Sequence, residues 1–222
     1  MLDILYEDSA LLFVNKPAGI VVQRGYDAEE PVLLEEAIAY AGHLFLMQRL
    51  DRGTSGVMFF SKLASINANL TRQFEGKRIR KRYLAICEGE LGERQMIDAP
   101  LIRIGPISFG VGDGGKRALT IVTPIRATRS GSLIAVDLLT GRTHQIRVHL
   151  AAIGHPLAGD WLYGQRNEVR PMLHARELSM THPLTNEPLR VESALPDDFL
   201  RTAGERGILS RGEDIVTLWE SG

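Results

Sequence analysis

The segment Arg49-Leu50-Asp51-Arg52-Gly53-Thr54-Ser55-Gly56 holds one carboxylate between two guanidinium groups, with two hydroxyls and two glycines beside them. Apolar residues lead in at Leu44, Phe45, Leu46 and Met47 and lead out from Val57 to Phe60. Both flanks are short and β-prone, which predicts two buried strands with a loop between them. A loop held between core strands is a rigid place for a nucleophile or a base, and Asp51 is its only carboxylate. Taken alone, the segment is also an ordinary turn, with Asp capping backbone N–H groups and Gly taking positive φ. A second segment changes that weight: Gly141-Arg142-Thr143-His144-Gln145-Ile146-Arg147-Val148-His149-Leu150, followed by Gly154-His155-Pro156 and Gly159-Asp160.

Together these segments resemble the RluA-type pseudouridine synthases. That family reads His-Arg-Leu-Asp-x-x-Thr-Ser-Gly, then Gly-Arg-Thr-His-Gln-Ile-Arg-x-His-Leu, then Gly-His-Pro and Gly-Asp. Further matches lie at Asn15-Lys16-Pro17-x-Gly19, Lys81-x-Tyr83-x-Ala85, Gly115-Lys116-x-Ala118-x-Thr120 and Leu173-His174-Ala175. The order is the family's order, and the resemblance covers roughly residues 2 to 200. One departure is Gln48, which stands where the family has His.

The resemblance implies an RNA pseudouridine synthase, an isomerase that moves uracil from an N1 to a C5 bond with ribose. It places the catalytic aspartate on Asp51 and its ion-pair partner on Arg147. Tyr83 matches the tyrosine that stacks on the target base, and Leu173 a leucine lining the pocket. Arg49, Arg52 and Arg142 are candidates for contacts to RNA. The reaction is redox-neutral and transfers nothing to water, so no metal, nucleotide or redox cofactor is expected. It needs a carboxylate, a dry pocket and a way to lift the base from its stack. Attack at uracil C6, attack at ribose C1′ and abstraction of a ribose proton all remain open for Asp51.

The chain has 222 residues, 44% of them hydrophobic, enough for one sizeable core or one domain of two lobes. Its single cysteine, Cys87, lies in an apolar run, so no disulfide can form within the chain. No signal peptide or membrane-length apolar run is evident, which makes the cytoplasm the default. Net charge is −1, yet residues 41–150 hold seventeen bases against eight acids, between acidic ends. A basic centre on a near-neutral protein is an electrostatic footprint for a phosphate backbone. Within it, Lys77-Arg78-Ile79-Arg80-Lys81-Arg82-Tyr83 carries five basic residues in seven. It reads as an RNA-facing arm, with Arg78, Arg80 and Arg82 on RNA and Tyr83 delivered inward.

The elements that must position these groups follow from the pattern. Strands are expected at 2–7 and 10–15 about the turn Asp8-Ser9, and at 20–22. A helix after Pro31 would turn Leu33, Leu34, Ala37, Ile38 and Ala41 to the core. A second helix runs from Ser65 to Phe74, ended by Gly76. Residues 92–117, rich in Gly and Pro, read as a long irregular connection and the hinge between lobes. A hairpin spans 118–126 and 132–139. Thr143 would N-cap a helix from His144 to about Ile153, with Ile146, Leu150 and Ile153 on its apolar stripe and Arg147 off it. Strands at 176–181 and 188–194 and helices at 197–204 and 214–220 complete the chain. The fold expected is mixed α/β, an antiparallel-rich central sheet flanked by helices, in two lobes with a basic cleft. Because the resemblance starts at Leu2, residues 1–222 are expected to be one catalytic domain, acting as a monomer without a separate N-terminal RNA-binding domain. Recognition would then rest on a structured stem-loop of transfer or ribosomal RNA.

Three rival readings are weaker. A metal-dependent hydrolase would use the histidines, but His144 and His149 are five apart, roughly 140° around a helix. A glycoside or nucleoside hydrolase would need a second facing carboxylate, and Gly159-Asp160 reads as a turn. A non-catalytic RNA-binding module would not need Asp51. The run Gly110-Val111-Gly112-Asp113-Gly114-Gly115 lacks a phosphate-binding pattern.

Overall fold

The computed structural model describes residues 2–24, 31–210, 213 and 215–220. The elements in chain order are β1 (Ile4–Glu7), β2 (Leu11–Lys16), α1 (Leu33–Ala41), β3 (Phe45–Leu46), β4 (Ser55–Ser61), α2 (Ala64–Glu75) and β5 (Arg80–Cys87). Then come β6 (Gln95–Asp98), β7 (Leu101–Arg103), β8 (Phe109–Val111), β9 (Leu119–Thr128), β10 (Gly131–Leu138), α3 (Gln145–Ala152), β11 (Leu173–Thr181), β12 (Pro188–Glu192), α4 (Asp197–Glu205) and α5 (Ile215–Glu220). The fold is mixed α/β. The chain divides into two compact units, Met1–Lys81 with Ala175–Ala194, and Arg82–His174 with Leu195–Gly222.

In the first unit β1, β2, β4 and β11 lie in that order, with β12 on β11 and β3 on β4. The pairings of β1 with β2, β2 with β4, β3 with β4 and β11 with β12 are antiparallel. The β1–β2 turn forms because Asp8 Oδ1 accepts the N–H groups of Ala10 and Leu11, both at 2.7 Å. Every residue of β4 is buried, as the apolar run after Asp51 predicts. Phe13 and Phe59 stack at 5.1 Å across the β2–β4 pair, with Ile66 and Leu70 of α2 packed on the same cluster. At Gly56 (φ 113°) a Cβ would lie 2.2 Å from the Ala175 carbonyl, so glycine alone lets β4 approach β11 there.

In the second unit the order is β5, β10, β9, β6, again antiparallel. Leu84 and Ile86 of β5, Leu133 and Ala135 of β10, and Phe199, Ala203, Ile208 and Trp219 form its core. Cys87 belongs to this interior, and burial pushes its thiol up to about 12, as suits a small inert hydrophobe.

Some expectations fail locally. Residues 92–117 are not an irregular connection: they hold β6 and the β7–β8 hairpin, and lie inside the second unit. Gly115 serves close packing; a Cβ there would lie 2.6 Å from the Leu101 backbone. Residues 20–22 form a single bridge, Val21 to Val32, in place of a strand. Ile38 faces outward, leaving Leu33 and Ala37 as the buried residues of α1. Among the described residues no helix is long and apolar enough to cross a membrane.

Candidate active site

The loop from Met47 to Thr54 joins β3 to β4 and is anchored through its main chain. The Arg52 carbonyl accepts the Gly19 N–H at 2.8 Å and Lys16 Nζ at 3.2 Å. Arg52 Nε returns a hydrogen bond to the Gly19 carbonyl, and Thr54 N donates to the Asp51 carbonyl. Lys16 is fully buried, and Nζ also donates to the Pro17 carbonyl at 2.8 Å. A buried ammonium needs such acceptors. The Asn15-Lys16-Pro17-x-Gly19 segment is therefore a clamp on the Asp51 loop. Leu50 and Thr54 are buried on either side of Asp51, which is half-buried, while Arg49 and Arg52 are exposed. Gln48 keeps Nε2 out of solvent with no hydrogen-bond partner among the described residues.

The second motif enters α3 by a different route from the one its pattern predicts. His144, not Thr143, is the N-cap residue, in the left-handed region at φ 56°. Thr143 is exposed, and the turn is closed by Gln145. Its Oε1 accepts Arg142 N at 3.0 Å and Thr140 Oγ1 at 2.7 Å, and its Nε2 donates to the Leu119 carbonyl and to Thr120 Oγ1. From Gln145 to Leu150 every residue is buried, so α3 is enclosed on all sides. Arg147, off the apolar stripe, is nonetheless 6% exposed, as a buried ion-pair partner would be. An enclosed helix can hold polar side chains only where each finds a partner. His149 meets Thr120 Oγ1 and the Ala99 carbonyl, both at 2.9 Å, and burial lowers its pKa.

Arg147 pairs with Asp160. Nε and Nη2 grip its two carboxylate oxygens at 2.8 and 2.7 Å, in the two-pronged geometry that suits a buried guanidinium. Asp160 is fully buried and also accepts the N–H groups of Leu162 and Tyr163. It is thus both the expected turn and a charge partner, which the sequence reading missed. The Tyr163 ring lies 5.0 Å from the Arg147 guanidinium carbon. The Tyr163 hydroxyl takes the Phe109 N–H at 3.0 Å and meets His144 Nδ1 at 2.7 Å. Only Gly159-Asp160 marked this arrangement in the chain; nothing marked Tyr163.

Tyr83 is buried in β5 opposite Val136 of β10, and Leu173 is buried at the start of β11. Arg142 is exposed, with Nε on the Arg117 carbonyl. The basic run alternates as a strand should. Arg78 and Arg80 are exposed on either side of buried Ile79. Lys81 lies over the Phe74 ring, and burial lowers its pKa. Arg82 pairs with Asp137 at 3.4 Å and lies 4.1 Å over the Trp219 ring. Arg78 and Arg80, like Lys77, are thus exposed cations of the run, and Arg82 is engaged within its own unit.

A carboxylate on a clamped loop and a buried, carboxylate-held arginine belong to a fold already seen in pseudouridine synthases. The solved structure of human RNA pseudouridylate synthase domain containing 1 superposes with a TM-score of 0.76 at 28% identity, over 93% of this chain and 87% of that one. The family model for RNA pseudouridylate synthase matches residues 10–152, and the chain belongs to that family of RNA isomerases. Ribosomal large subunit pseudouridine synthase D of Nitrosomonas europaea is 37% identical over 89% of this chain, which spans 63% of that relative's length. The tRNA pseudouridine synthase C of Salmonella typhimurium is 34% identical over 97% of this chain and 95% of its own.

Proposed function

We propose that this chain converts specific uridines in a structured ribosomal or transfer RNA to pseudouridine, acting as a cytoplasmic monomer. The observation that carries this reading is Asp51, the one carboxylate of a loop clamped by Lys16 and Gly19, in the motif whose resemblance gives it the catalytic role. The isomerisation breaks the N1–C1′ bond of uridine and makes a C5–C1′ bond; C5 loses its proton and N1 gains one. Asp51 serves as nucleophile or base. Arg147 supplies the cation that the reaction's carboxylate requires, with Asp160 holding that cation in place. Tyr83 stacks on the target base, and Leu173 adds apolar wall that excludes water. Arg49, Arg52, Arg142, Arg78 and Arg80 serve RNA docking through phosphate contacts. Arg82 serves it indirectly, by fixing the β5 backbone beside them.

The test uses transfer and ribosomal RNA transcripts tritiated at uracil C5, since the C5 hydrogen is lost to solvent as the new bond forms. Wild-type protein is expected to release tritium from one class of transcript. Asp51→Asn keeps size and loses charge, so release should fall below detection while RNA binding stays near normal. Measurable turnover in a clean Asp51→Asn preparation sinks the mechanism; no release from any transcript with wild type sinks the isomerase reading itself.

A further inference from the structure

The loop that follows Asp160 is anchored at several points along its length. Asp160 Oδ1 holds the N–H groups of Leu162 and Tyr163, and the Asp160 carbonyl takes the Gly164 N–H at 2.7 Å. The Tyr163 hydroxyl is fixed by Phe109 and His144. Asn167 accepts the Gly159 N–H and donates to Glu88, both at 2.8 Å. Arg206 and Thr202 take the Glu168 carboxylate. At Gly159 (φ 75°) a Cβ would lie 2.2 Å from the Arg170 carbonyl, so the two ends of the loop pack backbone to backbone.

What this loop turns outward is Trp161, 56% exposed, together with Gln165 and Arg166. Among the described residues Trp161 makes no ring contact and Arg166 no ion pair. Such a ring buries little and contributes little to the fold. It stands one residue from the carboxylate that holds Arg147. A flat ring on a fixed loop, with a cation on the same loop, offers an unpaired nucleotide a face for stacking and a charge for its phosphate. An apolar protein partner or a lipid surface would need a contiguous apolar patch. Here the other exposed residues up to Arg170 are Gly164, Gln165, Arg166, Asn167 and Val169, so the ring's exposed apolar company on this loop is a single valine at its far end, not a contiguous patch.

We propose that Trp161 is a stacking platform for an unpaired base of the RNA, with Arg166 on the adjoining phosphate, outside the uridine that reacts. This rests on the RNA reading above. The chain has two tryptophans, and Trp219 is buried away from solvent, so the part of a quench that Trp161→Phe removes reports the contact. Titration of wild type with bulk transfer RNA and with oligouridine is expected to quench tryptophan emission. Trp161→Phe should lose the quench and keep most of the affinity, because it keeps a ring. Trp161→Ala should weaken RNA binding by about ten-fold, in the range of one lost base stack. The loss should fall on KM more than on kcat. Trp161→Ala should leave the salt dependence of binding unchanged, whereas Arg166→Gln should reduce its slope by about one. Wild-type affinity in Trp161→Ala, or a quench that persists in Trp161→Phe, overturns the platform. If wild type isomerises uridine and Trp161→Ala binds RNA normally, the platform alone fails. If the quench and its loss are seen but no RNA yields pseudouridine, the isomerase reading fails and the platform stands.

Discussion

The loop carrying Asp51 is held through carbonyls and N–H groups, whereas the helix carrying Arg147 is held through side chains. In the first region Arg52 O is the anchor, gripped by Gly19 N and Lys16 Nζ, and Arg52 Nε adds a bond back to the Gly19 carbonyl. In the second region a buried guanidinium, a buried carboxylate, a buried amide and a buried imidazole each depend on named partners on other elements. A main-chain anchor tolerates change in the side chains it presents. A buried charge pair does not, because removing one partner strands the other without solvent. The loop is therefore free to carry chemistry, and the helix supplies rigidity at the cost of tolerance.

The largest effect expected from that contrast is at Asp160. Asp160→Asn leaves the Arg147 charge buried without its two-pronged partner, and should cost about 3–5 kcal/mol of stability. Denaturant unfolding measures this, and the double variant with Arg147→Met should recover part of the loss. A stable Asp160→Asn protein would show that the two regions are held alike.

Lys16→Met is the matching test on the loop. Two hydrogen bonds from a buried ammonium are lost, at about 1.5–3 kcal/mol each net, partly offset by an apolar side chain of similar length. Single-turnover rate should fall more than RNA affinity. An unaltered rate would mean that the Gly19–Arg52 bonds suffice.

A smaller effect follows from His149. Burial lowers its pKa, so the unfolded chain takes up a proton before the folded one does. Its contribution is fully present above the unfolded value of about 6.5 and is lost as pH falls below it. The melting temperature should drop over that range, and less so in His149→Gln. Equal slopes in the two proteins would place the acid sensitivity elsewhere.

The smallest effects lie in the basic run. Arg78→Gln and Arg80→Gln should each reduce the salt slope of RNA binding by about one, while Arg82→Gln should leave it unchanged, because Arg82 is taken by Asp137 and Trp219. A lower slope in Arg82→Gln would mean that RNA draws it away from both.

Much of this was legible in the residues themselves. Alternation and apolar runs marked β2, β4, β5 and β10, because strand burial follows a short local period. The Asp51 loop was legible for the same reason: turn residues between two buried strands are a local signal. What the chain alone did not disclose depends on partners distant in sequence. Thr143 looked like the cap of α3, but Gln145 can reach Leu119 and Thr120 only once β9 lies beside it. The stripe of α3 left Arg147 off the apolar face and gave no sign of Asp160 as its partner, since periodicity counts apolar residues and is blind to a polar one whose charge is met. The glycines of 92–117 suggested irregularity, yet Gly115 is there because the Leu101 backbone lies against it. The sequence by itself determined the family and most of the strands, and singled out Asp51 as the candidate carboxylate. Tertiary structure alone decided which charges are buried, because burial of a charge is set by the partner that solvates it, and that partner arrives only with the fold.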